Sequence, residues 1–220
     1  MCGRFTISKK IGDLAERFNV EVEEAIYSPV FNAAPGQNLP VIISGEQNKL
    51  LFFRWGLVPF WAKNSSEGYK MINARGEGIM EKSSFKKLME RKRCLVPADG
   101  FYEWKKNGKN KTPFRFCLND NSLFAFAGLW DSWKDNNNTL LHSFTIITTA
   151  ANELILPVHD RMPVILSQET EHLWLSENAE INTFLPLLQP FPAHLMKGYP
   201  VSELVGNPRN NFPELIEEVK

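Results

Sequence analysis

Long apolar runs, internal repeats, low-complexity tracts and net charge are all missing from this 220-residue sequence, in which 25 Lys and Arg balance 25 Asp and Glu. With no apolar run of membrane-spanning length there is no helical anchor to expect, and the opening Met1-Cys2-Gly3-Arg4-Phe5 lacks the apolar stretch of a secretory leader. The balanced charge supplies no global field toward nucleic acid or anionic lipid, so any polyanion site must be local. Cysteine is scarce. Three residues, an odd number without CxxC spacing and with no HxxxH pair beside them, predict neither a disulfide framework nor a zinc site. The expectations are a reducing, cytoplasmic location (nucleoid-associated if the host is bacterial), no cofactor, no metal and no membrane partner. No stretch has the composition of a flexible linker, so residues 1–220 are expected to form one domain, and no zipper-like stripe argues against a monomer.

What is present is a large core: 43% hydrophobic residues, with 16 Phe and 6 Trp. Ile11, Leu14, Ala15 and Phe18 recur at helical spacing and predict a helix over residues 10–19. Residues 39–44 and 49–55 flank a Gly-Glu-Gln-Asn turn and are rich in β-branched and aromatic side chains, which predicts a hairpin. A second helix is expected from Ser84, burying Phe85, Leu88 and Met89 and ending at the basic run Arg91-Lys92-Arg93. Residues 94–151 read as a meander, with Asn107-Gly108 marking one turn. Short helices are expected between Glu169 and Met196, with Leu173, Trp174 and Leu185 inward, and then a short polar end. Strands in consecutive hairpins predict an α+β fold: largely antiparallel twisted sheets forming an open barrel-like core with flanking helices.

The residues that could carry chemistry are few. Cys2 follows the initiator directly, and cysteine is small enough for Met1 to be trimmed, which would leave a free α-amine beside a thiol. An α-amine titrates near ~7.7–8.0 and is partly nucleophilic at neutral pH. It can form a Schiff base with an aldehyde, on which the thiol can close to a thiazolidine. Asn73 offers a donor and an acceptor, and Arg75 a planar fork suited to phosphate. Glu103 interrupts the apolar run Phe101-Tyr102-Glu103-Trp104. It is either a buried carboxyl with a raised pKa, fit for general acid–base work, or the solvent side of a half-buried strand. His159 lies between Val158 and Asp160-Arg161, where it could move protons, Asp160 could fix its tautomer and Arg161 could hold a phosphate. Residues 82–111 carry ten Lys and Arg against three Asp and Glu. Such a segment could track a nucleic-acid backbone or simply be solvated.

Taken together these motifs resemble the SRAP family, named for SOS response-associated peptidase and better described by abasic-site processing. The resemblance rests on Met1-Cys2-Gly3-Arg4-Phe5, Asn32-Ala33-Ala34-Pro35-Gly36, Trp55-Gly56 onward to Trp61, Ile72-Asn73-Ala74-Arg75, the run from Ala98 to Trp104, and His159-Asp160-Arg161-Met162-Pro163, in that order. It implies a DNA-damage enzyme whose mature N-terminal Cys2 forms a thiazolidine with the ring-opened aldehyde of an abasic site in single-stranded DNA, with AP-lyase-type Schiff-base chemistry and reversal. By the same resemblance Asn73 would position the amine, Glu103 would act as acid and base, and His159 would assist sugar-ring opening. Arg4, Arg75 and Arg161 would hold phosphates, Thr148 and Thr149 would line the pocket, and Trp61 would be the aromatic wedge. Two alternatives remain from the residues: a thiol peptidase or autoprotease with Cys2, His159 and Asn73, and a non-catalytic single-strand binder using Trp61 and the basic segment.

Overall fold

The computed structural model describes residues 2–22, 27–177 and 179–219. The first half contains β1 (Phe5–Ile7), α1 (Ile11–Phe18), β2 (Val30–Ala33), β3 (Asn38–Ile43), β4 (Lys49–Trp55), β5 (Asn73–Arg75) and α2 (Ser83–Arg91). The meander follows as β6 (Arg93–Ala98), β7 (Gly100–Asn107), β8 (Asn110–Leu118), β9 (Phe124–Lys134) and β10 (Leu140–Ala150). After it come β11 (Arg161–Pro163), β12 (Ile165–Leu166), α3 (Gln168–Leu175), α4 (Ile181–Phe184) and β13 (Met196–Pro200), with short 3-10 turns between and after them.

The expected helices form because their apolar spacing meets the sheets. α1 buries Leu14 and Phe18 and stops at Asn19, whose left-handed φ of 49° ends the helix. α2 buries Phe85, Leu88 and Met89, and α3 buries Trp174 while Leu173 is only partly covered. Leu185 packs partly buried against the same core.

Two sheets organise the strands. One has the order β13-β8-β7-β1-β2; the other runs β11-β10-β4-β3-β6-β9-β12, with β5 added on β10. The fold is α+β with a barrel-like core, as the hairpins predict. The ring β10-β4-β3-β6-β9 is closed rather than open, because β9 and β10, each 11 residues long, also pair with one another from Leu140↔Lys134 to Ile146↔Gly128. Phe126, Phe144, Leu95, Val41 and Ile146 are among the residues of its core.

The last part of the chain corrects the expectation of a merely polar end. β13 pairs with β8 from Met196↔Leu118 to Pro200↔Phe114, and Val201, Val205 and Leu215 bury themselves around Tyr102 in a second, smaller apolar cluster. The Tyr102 hydroxyl donates to the Phe31 carbonyl at 2.8 Å, so this cluster also ties down β2. No described helix is long and apolar enough to cross a membrane. Among the described residues no group of three or more His, Cys, Asp and Glu is placed to hold a metal ion.

Candidate active site

Two very short elements, β1 and β5, bring Cys2 and Asn73 together beside Glu103 of β7. β1 lies antiparallel to β7 in the register Phe5↔Phe101 and Thr6↔Gly100. The ladder continues beyond the strand, where the Tyr102 N–H donates to the Arg4 carbonyl at 3.0 Å, and this carries Cys2 toward Glu103. β5 adds in parallel to β10, Asn73 opposite Ile146, and the Asn73 Nδ2 donates to the Cys2 carbonyl at 2.8 Å. The other end of that amide, Oδ1, is fully covered and accepts no hydrogen bond from the described residues.

Cys2 is buried, and its thiol donates a long contact of 3.6 Å to the Arg4 carbonyl. Burial, and next the negative charge of Glu103, push the Cys2 thiol well above its ordinary pKa. Glu103 is only 3% exposed, which decides between the two possibilities for that residue: it faces the interior, and both faces of β7 are covered at this point. Burial raises its carboxyl to about 7, and the neighbouring Asp160 charge pushes in the same direction. A carboxyl in this range is both proton donor and proton acceptor near neutral pH.

The charge of Asp160 acts on Glu103, which links the carboxyl to the loop that carries His159 and Asp160. Burial, helped by Lys106, lowers the His159 pKa against the opposing pull of Asp160, so the ring is neutral at pH 7. Its Nδ1 lies 3.0 Å from the Arg161 backbone N–H and 2.9 Å from Asp160 Oδ1. The Arg161 N–H can only donate and the Asp160 carboxylate can only accept, so Nδ1 meets one partner of each kind: the amide favours an unprotonated Nδ1 and the carboxylate a protonated one.

A fixed carboxylate underlies this arrangement. Asp99 Oδ1 accepts from the Thr6 hydroxyl and, at 3.3 Å, from Arg115 Nη2, while Oδ2 accepts from the Ser8 hydroxyl and, at 2.8 Å, from the Ser8 N–H. This network locks β1 against the β6–β7 turn and so sets where Cys2 lies. The sequence signal for it was the alternation of Thr6 and Ser8 on one face of a strand too short to recognise by itself.

The model of the family described as SOS response associated peptidase (SRAP) matches residues 1–208. The chain belongs to the SRAP family. It is 50% identical over 222 residues to the abasic site processing protein YoqW of Bacillus subtilis, covering 99% of both chains. It is 33% identical over 225 residues to the abasic site processing protein HMCES of Xenopus tropicalis, covering 88% of this chain and 67% of that one. The crystal structure of a Bacteroides thetaiotaomicron protein shares the fold with a TM-score of 0.91 at 29% identity, over all of both chains.

In this SRAP chain the three arginines expected at phosphates are differently placed. Arg75 is exposed. Arg4 points its guanidinium at the end of the chain, donating to Asn32 Oδ1 at 2.8 Å, the Val205 carbonyl at 2.9 Å and the Gly206 carbonyl at 3.3 Å. Arg161 is gripped by Glu77. Thr148 and Thr149 are buried on β10, where Thr148 is opposite Arg75 and Thr149 opposite Met162.

Trp61 is 57% exposed and its neighbour Phe60 65%, so the protruding tip of this SRAP chain is an aromatic pair. The tip is held from beneath: Ser143 Oγ accepts the Val58 N–H at 2.8 Å, Asp131 Oδ2 accepts the Phe60 N–H at 3.0 Å, and Trp133 Nε1 donates to the Ala62 carbonyl at 2.7 Å. Its entry is set by Gly56, at φ 115°, where a Cβ would fall 2.7 Å from the Gly68 carbonyl oxygen. Not every cation of the basic segment is free at the surface: Arg93 is buried with its Nε on the Trp174 carbonyl, and Lys92 pairs with Asp131 at 2.8 Å, while the others lie on α2, at its N-cap Lys82, and on the β7–β8 hairpin.

Proposed function

We propose that this SRAP protein processes abasic sites in DNA, capturing them in single strands through Cys2 once Met1 is removed. The observation that carries the proposal is the buried Glu103 carboxyl, raised to about 7, acting on the same buried group as Asn73, the Cys2 residue. In the proposed sequence the α-amine lone pair attacks the C1′ aldehyde carbon of the opened sugar and one amine proton passes to the resulting oxygen; Glu103 in its acid form protonates that hydroxyl, which leaves as water, and takes up the other amine proton as the C=N bond forms. The Cys2 sulfur then adds to the C=N carbon, and its proton ends on the ring nitrogen, relayed by Glu103. Thiazolidine formation consumes one aldehyde and releases one water, and the same groups run it backward. Asn73 Nδ2 fixes the Cys2 carbonyl, which leaves Oδ1 as an acceptor for the amine. His159, beside the Asp160 carboxylate, would assist proton transfer at the sugar-ring oxygen on opening. Before ring closure the Schiff base permits β-elimination, an AP-lyase side reaction.

The thiol's environment speaks against peptide cleavage by Cys2. A thiolate nucleophile requires a lowered pKa, whereas burial and Glu103 hold this thiol protonated. That is the state in which it can bring both sulfur and proton to an imine.

The test is a denaturing gel of protein incubated with an abasic single-stranded oligonucleotide. Wild type is expected to give a heat-stable shifted band, and Cys2→Ser, which keeps the amine but not the sulfur, a band only after borohydride trapping. A heat-stable band from Cys2→Ser overturns the thiazolidine. Absence of any denaturation-resistant species, with equal affinity for intact and abasic strands, would leave a binding protein in its place.

A further inference from the structure

Arg161 opens β11 with its guanidinium occupied. Nη1 and Nη2 donate to Glu77 Oε1 and Oε2, each at 2.7 Å, and Nη2 also donates to the Thr148 carbonyl at 2.8 Å. This end-on, two-point grip is the geometry in which arginine takes a phosphodiester, so the carboxylate stands where two phosphate oxygens would stand. The partners are unequally fixed. The Arg161 side chain is 13% exposed and braced from behind by Thr148, through both its carbonyl and, at 3.3 Å, its Oγ1. The Glu77 side chain is 56% exposed and rides on the turn after β5 between Gly76 and Gly78, the latter at φ 68°. The guanidinium holds the Glu77 carboxyl below its usual range, so it is a full anion at neutral pH.

We propose that Glu77 is a built-in occupant of a phosphodiester site at Arg161, which a DNA phosphate enters by displacing the carboxylate. The inference rests on the DNA-processing function proposed above. Anion exchange makes noncovalent binding weaker than an empty fork would. That suits a protein whose hold on its target is covalent, because intact strands are released while an abasic strand is retained by its bond to Cys2.

The experiment measures affinity for a labelled, intact single-stranded oligonucleotide at fixed salt, by fluorescence anisotropy, for wild type, Glu77→Gln, Arg161→Gln and the double variant, with melting curves confirming that each is folded. Glu77→Gln is expected to bind about two- to fivefold tighter, the scale on which an exposed ion pair competes. Arg161→Gln should bind more weakly, and the double variant should match it. Weaker or unchanged binding by Glu77→Gln makes the carboxylate a brace and overturns the exchange, as does unchanged binding by Arg161→Gln. Wild-type crosslinking to an abasic strand, run in parallel, separates the two ideas: no adduct defeats the functional proposal, while an adduct with unaltered Glu77→Gln affinity defeats only the exchange.

Discussion

Asp99 and Glu103 lie four residues apart on either side of the start of β7, both almost completely buried, and their surroundings divide the labour between them. Asp99 is encircled by the Thr6 and Ser8 hydroxyls, the Ser8 amide and Arg115, and every one of these contacts fastens one strand to another. At Glu103 burial dominates instead, and the carboxyl is pushed to about 7 next to a thiol. A buried carboxylate ringed by donors is a fastening; one whose charge is disfavoured is a proton carrier.

The sharpest break in that comparison should come from Glu103→Gln. Adduct formation and reversal are expected to slow by roughly 10²–10⁴-fold, the usual worth of a general acid–base group, with single-strand affinity retained. The same variant should reverse sign in stability. A carboxyl whose folded pKa lies above its unfolded value stabilises the native state fully only at low pH, and that contribution is lost as pH rises through about 7. Thermal melts should therefore show wild type losing stability relative to Glu103→Gln between pH 5 and pH 8. A difference that stays constant over that range, or moves in favour of wild type, removes the proton-carrier role.

Asp99→Ala should do the opposite. Removing the carboxylate leaves Arg115 buried without its partner, at a cost of about 3–5 kcal/mol, or on the order of 10 °C in Tm. Adduct formation by the folded fraction should slow as well, because the network sets where Cys2 lies, but it should not be abolished. A full loss of crosslinking by protein that still melts normally would mean that Asp99 takes part in the chemistry.

The smallest effect is expected at Gly100→Ala, where the added Cβ would meet Arg115 Nε at 2.7 Å and Cζ at 2.8 Å. Displacing this guanidinium should cost about 1–3 kcal/mol by chemical denaturation. No change in the midpoint would show that Arg115 can shift freely and that the Asp99 network is looser than its distances imply.

The sequence made the long elements legible, because α1, α2, the β3–β4 hairpin and the β6–β10 meander show their periodicity over six residues or more. Cys2, Asn73 and Arg161 sit in or beside β1, β5 and β11, each three residues long, and an alternation of two cannot be seen in three positions. Residue chemistry singles them out one by one, and only the family resemblance joins them into one site. Glu103 was ambiguous because the second face of β7 is covered by residues near 201–215, whose polar composition hid the few apolar anchors Val201, Val205 and Leu215. Arg4 is expected at a phosphate from the family resemblance, and Arg161 from its residue type and the resemblance together. Their actual partners, the carbonyls of Val205 and Gly206 for one and the carboxylate of Glu77 for the other, lie 84 or more residues away along the chain.

The clasp of Arg4 on the Val205 and Gly206 carbonyls ties the start of the chain to a strip some two hundred positions further on. Arg4 is two positions from Cys2, so under the function proposed above a protease cut, a bulky fusion or a partner that pried residues 205–206 loose would also slacken the leash on the proposed nucleophile.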